Sequence, residues 1–184
     1  MSATGLEVFD KTPQTTNTWL DEIMADHGPD RRVAWHMLGA VLRTLRDWLQ
    51  IELAANLGAG LPLLVRGAYY DRYRPRDLPT SSRSLEDFLQ RVAEEMKSTR
   101  PVNPEDATRT VFKVLARHVD LGRSAKVRDA LPKQIQALWS LAAASRGVDT
   151  VLSYLRPPGP FPRDTVAQWP DRFLCALRAH DGAT

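Results

Sequence analysis

The stretch that decides the fold is AWHMLGAVLRTLRDWL, residues 34–49. Its apolar side chains recur at intervals of three and four, which places them along one side of an α-helix. They are Ala34, Met37, Leu38, Val41, Leu42, Leu45, Trp48 and Leu49. The opposite side carries His36, Arg43, Arg46 and Gln50. This pattern predicts a long amphipathic helix that packs its apolar side into a core.

A second stretch, ATRTVFKVLARHV at residues 107–119, has the same character. At an offset of about 73 residues, Leu45 corresponds to His118, and further on Tyr69 corresponds to Trp139 at an offset of about 70. A connection about three residues shorter in the second copy explains the change of offset. We therefore expect an all-α fold in which two tandem copies of a three- to four-helix unit pack as one helical bundle.

The predicted boundaries follow from this repeat. The first unit, with an N-terminal arm, covers residues 1–77, and the second covers 78–147. The segment RPPGPFPR, residues 156–163, is too rich in proline for a helix interior. Residues 148–184 are therefore expected to form a proline-rich linker and a C-terminal helical extension.

Each unit is predicted to begin with a shorter leading helix, at about residues 14–26 and 84–97. Ser84 is a suitable N-cap for the second of these, because its hydroxyl can accept from the first turn. Pro62 and Pro132 each follow a leucine and favour the start of a new helix. No segment alternates apolar and polar residues for long enough to predict a sheet.

Composition favours a folded cytoplasmic protein. Hydrophobic residues make up 43% and charged residues 26% of the chain, as in ordinary globular domains. Cys175 is the single cysteine, which excludes an intramolecular disulfide and suits a reducing compartment. We find neither a signal sequence nor a run of about 20 apolar residues, so we expect no membrane segment. The preference for arginine over lysine, with much alanine, suggests a bacterial source.

Several short motifs together resemble a known bacterial family. They are FDKT (residues 9–12), TNTWL (16–20), LPLLVRGAYY (61–70), Arg74-Pro75 and VLAR (114–117). In this order and spacing they resemble the family catalogued as domain of unknown function 2267, over about residues 8–142. The resemblance implies an all-helical fold and brings no established activity. The chain departs from the family pattern at RDLPTSS (76–82), and beyond about residue 143 it has no family counterpart.

The motifs of common catalytic sites are absent from the sequence. There is no phosphate-binding loop, no HExxH zinc motif and no GxSxG elbow. The four histidines lack metal-ligand spacing, and His118 lies beside an apolar stripe, which favours a partly buried core histidine. The acidic pairs 21–22, 86–87 and 94–95 are predicted on solvated outer faces. We expect no catalytic residue, cofactor or metal.

The most distinctive polar segment is RGAYYDRYRPRD, residues 66–77, in which arginine and tyrosine alternate. Arginine offers a planar fork for phosphate or carboxylate, and tyrosine offers a face for stacking. The same residues could instead be structural, with the tyrosines in the core and the arginines at helix ends. The candidate binding residues are Arg66, Tyr70, Arg72, Tyr73, Arg74, Arg76, Arg83 and, from the second unit, His118.

Three functional hypotheses remain open. The preferred one is a non-enzymatic scaffold for binding a protein partner or for self-association, since packed helices present grooves to other helices. The alternative is binding of nucleic acid or of a nucleotide phosphate through residues 66–83. The third is an enzyme that uses His118 or a carboxylate in a groove between the two units.

Overall fold

The computed structural model describes residues 6–77 and 79–139, and all regular structure in these residues is helical. The helices are α1 Glu7–His27, α2 Arg31–Trp48, α3 Ile51–Ala59, α4 Leu63–Tyr70, α5 Leu85–Glu95, α6 Pro104–His118, α7 Leu121–Asp129 and α8, which is helical through 133–139. A short 3-10 helix, Pro75–Asp77, lies between α4 and α5. The predicted all-α class is confirmed. Across these residues no helix combines the length and the hydropathy that a membrane span requires.

The two periodic stretches of the sequence form α2 and α6, which pack against each other at the centre of the fold. Every apolar position of the predicted stripe on α2 is buried. Each large aliphatic side chain removed from water stabilises the fold by about 1.5–3 kcal/mol. Capping fixes where these helices begin: the Asp30 carboxylate accepts from two backbone N–H groups of α2, and the Asn103 side chain does the same for one of α6. Periodicity and caps together therefore set the two central helices.

The leading helix α1 begins seven residues before the predicted position 14, so that prediction was wrong at its N-terminal end. Pro13 lies inside the helix. A proline leaves the carbonyl four residues before it without its usual helical donor, here the carbonyl of Phe9, a residue that is 52% exposed. At its other end α1 stops at Gly28, whose φ of +92° suits glycine. The second leading helix, α5, begins after the Ser84 cap as predicted.

The short helices α3 and α4 form a tight hairpin. Gly60 follows the last residue of α3, and Pro62 directly precedes α4, where the sequence predicts the start of a new helix. Gly58 in α3 faces the ring of Tyr70 in α4 so closely that a Cβ atom placed on it would lie 2.7 Å from the ring carbon Cζ. The missing side chain of Gly58 is what allows these two helices to approach.

The order of helices is similar in the two halves of the described chain. Both leading helices, α1 and α5, contact both long helices, α2 and α6. The described residues belong to one compact unit. The duplication itself and the boundaries near 77 and 147 stay predictions, and the extension 148–184, with Cys175 and His180, lies outside the described residues.

The contact between α3 and α4 gives a prediction on stability. Gly58→Ala should destabilise the protein by about 1–3 kcal/mol, because the Tyr70 ring must move away from a well-packed position. Gly67→Ala is the matched control, since Gly67 lies inside α4 with no atom within 4 Å of its would-be Cβ. Alanine favours a helix interior over glycine by about 1 kcal/mol. Urea denaturation measures both, and equal midpoints for the two variants would contradict the close packing.

The first turn of α5 gives a prediction on pH. Hydrogen bonds from Ser82 and then Ser84 hold the pKa of the Asp87 carboxyl below its ordinary value. The fold thus favours the ionised form of Asp87. The contribution of this carboxylate to the stability of the protein is present at neutral pH and is lost as the pH falls through the lowered pKa. Ser82→Ala should raise the Asp87 titration midpoint in a carboxyl-carbon NMR titration, whereas Ser81→Ala should leave it unchanged. A midpoint that does not move in the first variant would show that the Ser82 bond is unimportant.

Candidate functional site

An opening of about 370 Å³ lies between the C-terminal half of α2, the outer side of α5 and the connection that follows α4. It is lined mainly by charged side chains, with five arginines and two carboxylates among its ten residues. The lining residues are Arg43, Thr44, Arg46, Asp47, Trp48, Arg72, Arg74, Thr80, Arg91 and Glu95. We refer to this opening as the arginine pocket. Its arginines come from three separate parts of the chain, which the fold brings together.

One wall of the pocket is an ion pair between the long helix α2 and the leading helix α5. Arg43 donates to Glu95 Oε2 through Nε at 2.9 Å and Nη2 at 2.8 Å. The two side chains are only 14% and 17% exposed. A planar guanidinium that makes two short bonds to one carboxylate is well oriented, and partial burial reduces screening by salt. Glu95 is therefore structural here, and the predicted solvated position of this carboxylate was wrong.

The floor of the pocket contains the most buried charge of the described chain, Arg46, which is 3% exposed. Its guanidinium donates to Asp47 Oδ1 at 2.8 Å and to the carbonyl of Asp71 at 3.0 Å, and it also donates to the carbonyl of Tyr69. It lies 4.9 Å from the centre of the Tyr73 ring, a cation–π distance. Arg46 was predicted on the face opposite the core stripe. It is buried because these acceptors satisfy it, including carbonyls at the C-terminal end of α4.

The rim of the pocket carries three arginines that are far less constrained. Arg72 is 68% exposed and reaches Glu95 at 3.3 Å and Asp71 at 3.4 Å. Its φ of +52° is the only positive value at a non-glycine residue in the described ranges, and this region costs an L-residue about 1–2 kcal/mol. Arg74 and Arg91 are exposed and make no hydrogen bond or ion pair within residues 6–77 and 79–139. These three guanidinium groups have donors to spare.

Two further polar groups of pocket-lining residues lack partners. Thr44 Oγ1 and Trp48 Nε1 are buried and make no hydrogen bond in the described part of the chain. Buried polar atoms are nearly always paired, and each unpaired one costs about 1–3 kcal/mol. Both residues line the arginine pocket. The same region therefore holds buried polar groups without a hydrogen-bond partner and arginines with free donors.

The structure separates the residues that the sequence grouped together. Arg72 and Arg74 line the arginine pocket, and Tyr73 lies under the Arg46 guanidinium. Arg66 instead donates to the carbonyls of Ala59 and Leu61 at 3.1 and 3.0 Å, which caps the end of α3.

The remaining members of the group have other surroundings. Tyr70 packs on Gly58 and on the rings of Tyr69 and Tyr73. Arg76 and Arg83 are exposed and do not line the arginine pocket. The predicted stacking face of the tyrosines is thus largely used inside the protein.

His118 lies apart from the arginine pocket, at the C-terminal end of α6. Its Nε2 is 2.7 Å from Glu22 Oε1, and its ring stacks on that of Trp19 at 5.3 Å. Arg117 Nη1 contacts the other oxygen of Glu22 at 3.1 Å. With Arg66, His118 borders a wider and shallower depression beside α1. Its side chain is 26% exposed and has a partner, but the residue lies at the surface and not in the core, where the sequence favours it.

Sequence reasoning missed Arg43, Arg91 and Glu95 as pocket residues. Arg91 and Glu95 lie one turn apart on α5, a spacing that is typical of an ordinary solvated helix face. Arg43 and Glu95 are 52 positions apart, so only tertiary packing joins them. Within the described ranges, no three acidic, histidine or cysteine side chains come together where they could hold a metal ion.

Comparison with known proteins yields one family. The family model described as "Uncharacterized conserved protein (DUF2267)" matches residues 16–138, which run from within α1 to within α8 and include every residue of the arginine pocket. A search of curated proteins finds no match to the chain.

The buried guanidinium gives a prediction on stability. Arg46→Met should destabilise the protein by about 3 kcal/mol, because it leaves Asp47 and two backbone carbonyls without their donor. Arg76→Met is the matched control and should change stability by less than about 0.5 kcal/mol, since Arg76 is exposed and has no partner in the described residues. Guanidinium chloride denaturation provides the measurement. A small effect for Arg46 would mean that the pocket floor is held by other contacts.

Proposed function

The chain belongs to the DUF2267 family, whose description assigns no activity, and we propose from the site itself that the protein binds the phosphate group of a small anionic ligand in the arginine pocket. The observation that carries this proposal is the charge of the pocket, where five arginines face two carboxylates. This imbalance exceeds what internal pairing requires, because Arg74 and Arg91 have no partner in the described residues.

The chemistry of the rim suits a phosphate. Each guanidinium presents five N–H donors in a fixed plane and keeps its charge at any physiological pH. Hydrogen bonds between a guanidinium and a phosphate are charge-assisted and often bidentate. Arg43 and Arg46 are engaged by Glu95, Asp47 and backbone carbonyls, so their charges are largely compensated within the protein. Arg72, Arg74 and Arg91 are the groups that would contact the ligand.

The size of the pocket favours a compact ligand over a nucleic acid. Its volume of about 370 Å³ is near the lower end of the range for small-molecule sites. Binding of single-stranded nucleic acid generally uses exposed aromatic faces on which bases stack. Here Trp48 is 5% exposed and Tyr73 carries the Arg46 guanidinium on its face. A phosphate monoester or diphosphate therefore fits better than a base-stacked strand.

One observation supports a scaffold as a second candidate function. An open depression of about 930 Å³ beside α5 is lined largely by apolar groups, including Leu85, Leu89, Pro104 and Ala137. Exposed apolar surface of this kind is typical of sites that bind another protein. In this proposal the depression would bind an apolar surface of a second copy of the chain.

The phosphate proposal is tested by thermal unfolding and calorimetric titration with inorganic phosphate and pyrophosphate, with sodium chloride at equal ionic strength as reference. A ligand at 100 times its Kd stabilises the folded state by about 2.7 kcal/mol, which raises Tm. Arg74→Gln and Arg91→Gln should each weaken binding about tenfold, because each removes a charge-assisted contact. Arg83→Gln is the matched control and should bind as the wild type does.

Three outcomes would contradict the proposal. Equal stabilisation by chloride and phosphate would mean that only bulk screening acts. Equal loss in the Arg83 variant would mean that binding is diffuse. No binding of either anion, together with concentration-dependent association in sedimentation, would favour the scaffold instead.

A further inference from the structure

We infer that Arg72 and Glu95 form a latch across the mouth of the arginine pocket, and that a bound phosphate opens it by taking Arg72 away from Glu95. This inference rests on the proposed function, and it concerns how the site selects its ligand. In this inference the Glu95 carboxylate competes with the ligand for the Arg72 guanidinium.

The contacts of Arg72 are those of a loosely held cation. Its nitrogens lie 3.3 Å from Glu95 and 3.4 Å from Asp71, whereas strong guanidinium–carboxylate bonds measure about 2.7–2.9 Å. The side chain is 68% exposed, so solvent screens both contacts. A doubly charged phosphate within reach would attract this guanidinium more strongly than either carboxylate does.

Glu95 can release Arg72 without being left unpaired. Its Oε2 accepts both short bonds from Arg43 and only the long bond from Arg72. After Arg72 moves to a ligand, the Glu95 carboxylate keeps its better partner on α2. The exchange therefore replaces one weak contact with a stronger one and creates no buried, uncompensated charge.

The backbone holds Arg72 at the rim while its side chain remains free. Arg46 donates to the carbonyls of Tyr69 and Asp71, which fixes the residues just before position 72. Arg72 itself has a φ of +52°, a conformation that Asn or Gly adopts with less strain. Non-glycine residues in this region persist where the surrounding structure imposes them, and such positions cluster at ligand sites. A strained arginine over a cationic pocket is consistent with a role that needs its guanidinium.

The latch predicts selectivity between anions. A ligand must outcompete the Glu95 carboxylate for Arg72, and a singly charged carboxylate such as acetate offers no advantage over the one already there. A phosphate carries close to two charges at neutral pH and three acceptor oxygens. The pocket should therefore distinguish phosphate from acetate, and this distinction should depend on Glu95 and Arg72.

The test uses Arg72→Gly, Arg72→Asn, Arg72→Lys and Glu95→Gln, each titrated with inorganic phosphate and with acetate. The Gly and Asn variants should bind phosphate about tenfold more weakly, while their unfolding midpoints stay equal to or above that of the wild type, because both residues suit the positive φ. The Lys variant, which keeps the charge, should lose less affinity. The Glu95→Gln variant should bind phosphate at least threefold more tightly and discriminate less against acetate.

The outcomes separate the latch from the proposed function. If the wild type binds phosphate, but Arg72→Gly and Arg72→Asn bind it unchanged or Glu95→Gln binds it more weakly, the latch is overturned and the phosphate site stands. If the wild type binds no phosphate, the proposed function fails and the latch fails with it. Should Glu95→Gln not fold, the selectivity of the Arg72 variants decides the question. The latch predicts that their preference for phosphate over acetate falls, and an unchanged preference would overturn it.

Discussion

The arrangement of the candidate site depends on the burial of one charge, the Arg46 guanidinium. A buried charge persists only where acceptors surround it, and here they come from the adjacent Asp47 and from carbonyls at the end of α4. The backbone carbonyl of Asp47 in turn accepts from the N–H of Thr80 at 2.9 Å. The start of the connection that follows α4, and Thr80 further along it, are thereby fastened to the same turn of α2. This explains why Arg72 and Arg74 are held at a defined rim.

Most of the fold follows from sequence patterns that act locally. The stripe on α2, the Ser84 cap of α5 and the proline before α4 are each set by a few neighbouring residues, and each was predicted. The start of α1 lies before the predicted position, since the helix continues through Pro13 although proline is disfavoured in a helix interior. Local sequence patterns thus predicted the positions of the helices better than they predicted the N-terminal end of α1.

The site could be predicted only in part, since some of its residues are neighbours in the sequence and others are brought together only by tertiary packing. The local excess of arginine pointed to Arg72 and Arg74, because an excess of basic over acidic residues in one short segment can be counted in a sequence. Arg43 and Glu95 were not visible, because each resembles a solvated helix residue until tertiary packing joins them. The surroundings of the tyrosines were not visible either, because residue type does not reveal whether a ring is covered, as one face of Tyr73 is by Arg46.

The same electrostatic device occurs at both contacts between a leading helix and the long helix of the other half, with different balances. At the contact of α1 with α6, Arg117 and Lys113 are matched by Glu22 and by Asp26, which lies 3.8 Å from Lys113, and His118 also contacts Glu22. At the contact of α5 with α2, Glu95 binds Arg43 in the same manner. Arginines beyond those needed for docking are then added around it. The first contact is explained by helix packing alone, whereas the second has a positive charge that packing does not require. This excess is the physical basis of the proposed ligand site.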